Sequence, residues 1–290
     1  MEKRAILLGT DWWTDCDDCA AVRLLCRAHK NGEIDFRGIV LNACMPQSAP
    51  SLSAFLAAED MELSVGIDLA ATDFEGTCFT YQKVLCAYPH TIQRNEDCPD
   101  AAALYRKLLT EQTGKTDIGE IGFYQVLAAL LSTPDGVELV REKVGHIYAM
   151  AGKWDTDGGR EHNFCNNARS RTAAQVLCEK CPVPITFLGF EVGDTVLTGD
   201  GLAEDDLLHQ AFKAHGHAET GRSSWDPMTA LLAVIGDPQK AGYTAVRGTA
   251  SVDAETGANH FREDPNGLHE YVVKAKPDSF YREAIQNRIS

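Results

Sequence analysis

The chain has no apolar run long enough to cross a membrane. Its longest hydrophobic stretches are broken by charge well short of the roughly 18–20 residues a span requires. Basic charge is scarce: 42 Asp and Glu stand against 27 Lys and Arg, for a formal net charge of −15. A surface this acidic repels nucleic acid and anionic membranes, and neither is expected as a partner. There is no Gly-rich phosphate loop of the dinucleotide-binding or P-loop kind, which argues against a dinucleotide enzyme or a kinase. The opening MEKRAILLGTDWW meets acid at once and has no small-residue cleavage pattern, so it reads as a first strand rather than a signal peptide. Cysteine is not scarce. Ten cysteines without an export signal point to a reducing compartment, hence to the cytoplasm. The two CxxC pairs, Cys16/Cys19 and Cys178/Cys181, read as core thiols, because no second pair stands at zinc-ribbon distance.

With 290 residues, 44% of them hydrophobic, the chain can bury a large core. Apolar runs alternate with helical patterns. RAILLG, IDFRGIVLN, LSVGIDL, IGEIG, GHIYAMAG and VPITFLGFEVG read as strands. CAAVRLLCRAHKNG, SAPSLSAFLAAEDM, AAALYRKLLTEQ, FYQVLAALLS (closed by Thr133-Pro134-Asp135-Gly136), SRTAAQVLCEK and PMTALLAVIG read as helices. Residues 73–100 read as a long loop or insertion, and YTAVRGTASVDAETGANHFREDPNGLHEYVVKA as an antiparallel hairpin region. This alternation predicts an α/β fold in a single domain over 1–290. A mostly parallel open sheet would carry helices on both faces and end in a C-terminal β-hairpin. Ligands then belong beyond the carboxyl ends of the strands.

That address is crowded with acid. In AILLGTDWWTDCDDCAAVRLL, Asp11, Asp15, Asp17 and Asp18 fall within eight residues, between a strand and a helix. Like charges this close raise one another's pKa unless something compensates. Either the loop is simply solvated, with Asp at a helix start, or it holds a cation. Asn42, Lys153, Trp154, Asp155, Glu191 and Asp226 each follow a predicted strand or open a helix, and Glu161, His162, Asn163, Asn166 and Asn167 crowd GREHNFCNN. These are oxygen donors without a thiolate–imidazole set, which favours calcium or magnesium. A hard cation can lower the pKa of a water and leave an Asp to take its proton. Trp12, Trp13, Trp154 and Trp225 stand beside these polar residues, and an indole can stack on a planar ring. Together the residue types ask for a sugar with an aromatic leaving group.

At this point the sequence resembles the nucleoside hydrolases of the inosine–uridine-preferring type, over nearly the whole chain. Gly9-Thr10-Asp11 followed by Asp17-Asp18 is similar to that family's Asp-x-Asp and Asp-Asp, with two extra residues between. Such an Asp-x-x-x-Asp-x-Asp-Asp form looks like a divergent branch. IGFYQVLAALLSTPDG, IYAMAG, EHN and WDPMTALL resemble further family segments, and RGTASVDAETGANHF with DPNGLHEYVV the last hairpin. The resemblance implies Asp11 as general base and metal ligand, with Asp18, Asp226 and the Gln125 carbonyl completing a calcium site; magnesium is the lesser alternative. Asp15, without a counterpart in the short motif, is a further ligand or a support for one. Asp17, Asn42, Met150, Glu161 and Asn163 would contact the ribose, and Trp225 the base. The implied activity is hydrolysis of the N-glycosidic bond of a ribonucleoside or related N-riboside by a metal-activated water, in a homodimer or homotetramer. Trp225 stands where many members carry a His that protonates the base. It favours a purine leaving group, or else a protein that binds metal and sugar without turnover.

Overall fold

The computed structural model describes residues 3–77 and 80–290. Its strands are β1 (Arg4–Thr10), β2 (Ile34–Leu41), β3 (Ser64–Ile67), β4 (Thr116–Glu120), β5 (Val144–Met150), β6 (Ile185–Leu188), β7 (Leu197–Thr198), β8 (Arg222–Ser223), β9 (Tyr243–Val252), β10 (Asn259–Glu263) and β11 (His269–Lys274). Nine of them form one sheet in the order β10-β9-β11-β6-β5-β4-β1-β2-β3, and β7 pairs with β8 apart from it. From β3 to β11 neighbours are parallel, while β9 runs antiparallel to both β10 and β11. The expected α/β architecture with a C-terminal hairpin is present.

Parallel strands covered on both sides carry side chains that are apolar on both faces, and β1 shows why. Ile6 and Leu8 join the core under the helices Asp17–Lys30 and Trp225–Ile235, while Leu7 joins the core on the opposite face. The strand order reverses between β1 and β4, so the loops leaving their carboxyl ends part and open a crevice. The acidic stretch after β1 borders it.

Several local expectations change. The run VPITFLGFEVG is a strand only over Ile185–Leu188, and Phe190–Gly193 turns into a short helix. A four-residue apolar run does not distinguish the two periods. Pro134 does not merely close a helix. It opens another, Pro134–Lys143, with Thr133 capping Gly136 N–H, as Pro at a first helical turn permits. Helices Leu207–His215 and Asp278–Ile289 lie in segments to which the sequence patterns assign no element. Within 73–100 the chain makes a short helix, Tyr81–Leu85, and a 3₁₀ turn, Asn95–Asp97; Cys78 and Phe79 of that segment lie outside the described residues. No described helix is long and apolar enough to cross a membrane.

One buried acid sits at the heart of the sheet. Glu120, at the end of β4, accepts from Asn42 Nδ2 at 2.6 Å and from Tyr105 Oη at 3.0 Å, with no cation paired to it among the described residues. Gly9 on the adjacent strand leaves room for it, since a Cβ there would overlap the carboxylate. Burial pushes Glu120 up to about 8, and its two hydrogen bonds oppose this only in part. Glu120 therefore folds protonated. Its favourable contribution is complete below the ordinary value of 4.5 and is lost as pH rises through about 8, because only the unfolded chain ionises in between. Glu120→Gln keeps the neutral donor–acceptor pattern. Denaturant titrations between pH 5 and 8 should show wild-type stability falling relative to this variant, by up to roughly 4 kcal/mol across the window. Parallel curves would contradict a protonated Glu120.

Candidate active site

The loop between β1 and the helix Asp17–Lys30 has a strained backbone. Trp12 and Thr14 adopt φ of 50° and 62°, the left-handed region that non-glycine residues rarely visit. Such conformations persist only where surroundings over-determine them, and Trp12 supplies the surroundings. Its backbone N–H donates to Thr10 Oγ1 at 3.0 Å and Asp18 Oδ1 at 3.2 Å, and its carbonyl accepts from Gln82 Nε2 at 2.6 Å. Its indole is fully buried, donates to Ser51 Oγ at 2.9 Å and lies edge-on to Phe55 and Tyr81. Trp12 is thus an anchor, not a stacking platform.

Pinned this way, the loop turns its carboxylates inward. Asp11, Asp17 and Asp18 are buried, so the solvated-loop alternative fails. Asp226, from the first turn of the helix Trp225–Ile235, joins them from the far end of the chain. Asp17, Asp18 and Asp226 each offer an oxygen, all within 4.8 Å of one another. Asp17 therefore belongs with the acidic group as much as with any sugar. Asp11 is held by the Trp13 N–H at 3.0 Å, Asp17 by the Asp226 N–H at 3.1 Å, and Asp18 by the Thr10 hydroxyl. Burial, first, raises all four carboxyls well above the usual range. Neighbouring carboxylates add to it: Asp17 beside Asp11 and Asp226, Asp15 and Asp18 beside Asp17, Asp11 beside Asp18.

The charge is only partly compensated. Two helix N-termini converge on the group, each worth about +0.5 charge. That leaves four acids facing roughly one positive equivalent. The group could hold a metal ion, and an all-carboxylate donor set is hard, which would suit calcium or magnesium.

The carboxylates line a cavity of about 390 Å³. Met150, Glu161, Asn163, Trp225, Phe190 and Arg222 line it with them, as do Trp13, Gly76 and Thr77. Glu161 accepts from the backbone N–H groups of Asn163 (2.7 Å), Gly152 (3.0 Å) and Phe164 (3.3 Å). Burial nonetheless raises it to about 7. Asn163 Nδ2 donates to the Met150 carbonyl at 3.1 Å. Trp225 donates from Nε1 to the Phe190 carbonyl at 2.7 Å, and the two rings stack with centroids 5.3 Å apart.

Three expected site residues are placed otherwise. Asp15 does not join the acidic group in a free state, because Arg222 grips it with Nε and Nη2 at 2.9 and 2.6 Å. Asn42 is turned away from the cavity: its amide donates to Glu120, and its Oδ1 accepts from the Phe123 N–H at 2.9 Å. Gln125 opens the helix Gln125–Leu131, which directs its carbonyl along the helix axis, and it does not line the cavity; Ile121 does. Trp154 is buried in an aromatic cluster with Phe187, Phe261 and Tyr271. Sequence reasoning missed Arg222, Phe190 and Thr14. An Arg four residues before Asp226 was the only available signal.

No protein-family model and no curated protein sequence matches the chain. Solved structures do. A purine-preferring ribonucleoside hydrolase from Gardnerella vaginalis superposes with a TM-score of 0.73 at 20% identity, over 99% of this chain and 98% of that one. An inosine–uridine-preferring nucleoside hydrolase from Bacillus anthracis gives 0.70 at 15% identity, over 99% and 100%. The type III effector protein XopQ, complexed with adenosine diphosphate ribose, gives 0.69 at 16% identity, over 100% and 95%. The chain has the nucleoside-hydrolase fold.

The acidic group makes its own prediction. Adding calcium at a hundredfold its dissociation constant should stabilise the protein by about 2.7 kcal/mol, a rise of several degrees in Tm. Asp226→Asn should abolish that gain while raising the Tm of cation-free protein, because one like charge is gone. A cation response undiminished in the variant would place the ion elsewhere.

Proposed function

We propose that this protein is a cation-dependent hydrolase of N-ribosidic bonds, acting on purine ribonucleosides. The observation that carries the reading is that Asp11, Asp17, Asp18 and Asp226 line one cavity together with Glu161, Asn163 and Trp225. The shared fold supports it, since structures of that fold include named purine and inosine–uridine nucleoside hydrolases.

Calcium is the proposed ion, held by Asp18 and Asp226 with Asp11 and Asp17 beside them; when bound it neutralises the group and acidifies a water. Asp11 takes the proton from the attacking water. Glu161, Asn163 and Asp17 accept or donate hydrogen bonds at the ribose hydroxyls, with Met150 packed against the sugar. As the C1′–N bond lengthens the ribose gains oxocarbenium character, and the surrounding carboxylates favour that positive charge. Trp225, backed by Phe190, offers the leaving base an aromatic face. Asn42 and Gln125 have no place in this set of contacts, because the first is committed to Glu120 and the second lies outside the cavity. Nine free thiols among the described residues suit a cytoplasmic protein.

A second reading, a riboside-binding protein without turnover, is favoured by XopQ, a protein of this fold complexed with adenosine diphosphate ribose. Release of free base from inosine, guanosine, adenosine and uridine separates the two. The hydrolase reading expects calcium-dependent release, fastest from purines, and a loss of at least about 10³-fold in kcat for Asp11→Asn, on the scale of a lost general base with its share of transition-state charge. Tight nucleoside binding with no base released, by a protein that responds to calcium, would favour the binding reading instead.

A further inference from the structure

His162 lies between Glu161 and Asn163 in sequence, lines the same cavity and has its ring 5.7 Å from that of Phe123. Its Nε2 is 3.1 Å from Asn166 Nδ2. The direction of that hydrogen bond is fixed by a third residue. Asn166 Oδ1 accepts from the Glu75 backbone N–H at 2.8 Å, and Asn166 Nδ2 donates to the Glu75 carbonyl at 2.6 Å. A backbone N–H can only donate and a backbone carbonyl can only accept, so the amide has one possible orientation. Its second amide hydrogen then points at His162 Nε2, which must accept. An imidazole that accepts at Nε2 carries its proton on Nδ1, and Nδ1 has no hydrogen-bond partner among the described residues. Protonating Nε2 would set two donors against each other.

We propose that His162 is the leaving-group residue of this site, and that it acts as a neutral imidazole donating a hydrogen bond from Nδ1 to the departing base. The inference rests on the riboside-hydrolase reading above. In the step itself the C1′–N bond breaks and its electron pair moves to the base, while a water oxygen bonds to C1′ and loses its proton to Asp11. Nδ1 keeps its proton. Its part is to stabilise the negative charge that develops on a ring acceptor, and the base then takes a proton from solvent. The role differs from that of an acid that surrenders a proton, because the Asn166 donor excludes the imidazolium.

The test compares two leaving groups. His162→Phe preserves the ring packing on Phe123 and removes the donor. On inosine its kcat should fall by about 10²-fold, the scale of one lost oxyanion-hole donor. On 4-nitrophenyl riboside, whose leaving group is stable as an anion, the loss should be far smaller. Equal losses on both substrates, or none on inosine, would overturn the proposal. If the wild-type chain cleaves neither substrate, the hydrolase reading falls and the leaving-group role with it. Nitrogen-15 spectra of histidine-labelled protein at pH 7 give an independent readout. They should show His162 neutral with its proton on Nδ1, and Asn166→Leu should release it to the other tautomer. An imidazolium or an Nε2–H tautomer in the wild-type protein would refute the mechanism even if activity were lost in the variant.

Discussion

Everything around the cavity answers to one constraint: several carboxylates must leave water together. An isolated buried carboxylate would take up a proton rather than stay charged, and four of them side by side strengthen that tendency. The molecule meets the constraint by converging opposite partial charges. Two helices begin at the group, backbone N–H groups of Trp12, Trp13 and Asp226 point into it, and Arg222 takes Asp15 out of contention. What remains uncompensated, roughly three negative equivalents if all four acids are ionised, is more than one divalent ion would cancel. The site is thus defined less by any ligand geometry than by a charge deficit.

Holding that deficit requires a rigid frame. Trp12 gives up the chance to touch a ligand and instead locks a left-handed backbone against Ser51, Phe55, Tyr81 and Gln82. Gly122 makes a comparable concession: a side chain there would collide with the Asp11 backbone, so the loop leaving β4 can lie against the end of β1 only with glycine at that point. The same economy governs Glu161, which uses both oxygens on backbone N–H groups and so is held in place beside the cavity.

Much of this was legible in the sequence, for identifiable reasons. The strand RAILLG followed by acid and a helical pattern placed Asp11, Asp17 and Asp18 at a strand's carboxyl end, and WDPMTALL brought Asp226 to a helix start. Both signals are local. What escaped depends on pairing between distant residues. Nothing near Asp15 announces that Arg222, 207 positions away, will neutralise it. Asn42 looked like a sugar-binding amide because its strand position was right, but Glu120, itself an unremarkable residue of a short strand, claims it. Phe190–Gly193 was misread because a short apolar run satisfies either period. Periodicity finds the scaffold, and the partners of polar side chains are decided only once the scaffold has folded.

The pairing of the helix Asp17–Lys30 with the helix Trp225–Ile235 has a kinetic side. The acidic group is assembled from the first and last thirds of the chain, so no partial product of synthesis possesses it. A nascent polypeptide that has completed β1 through β6 carries Asp11, Asp17 and Asp18 but neither Asp226 nor the helix that delivers it. Repulsion among those early carboxylates would hold the first loop open until the helix Trp225–Ile235 has been made. On the proposed cation-binding reading, capture of the ion would follow the closing of these contacts of long sequence separation and would seal the loop in place.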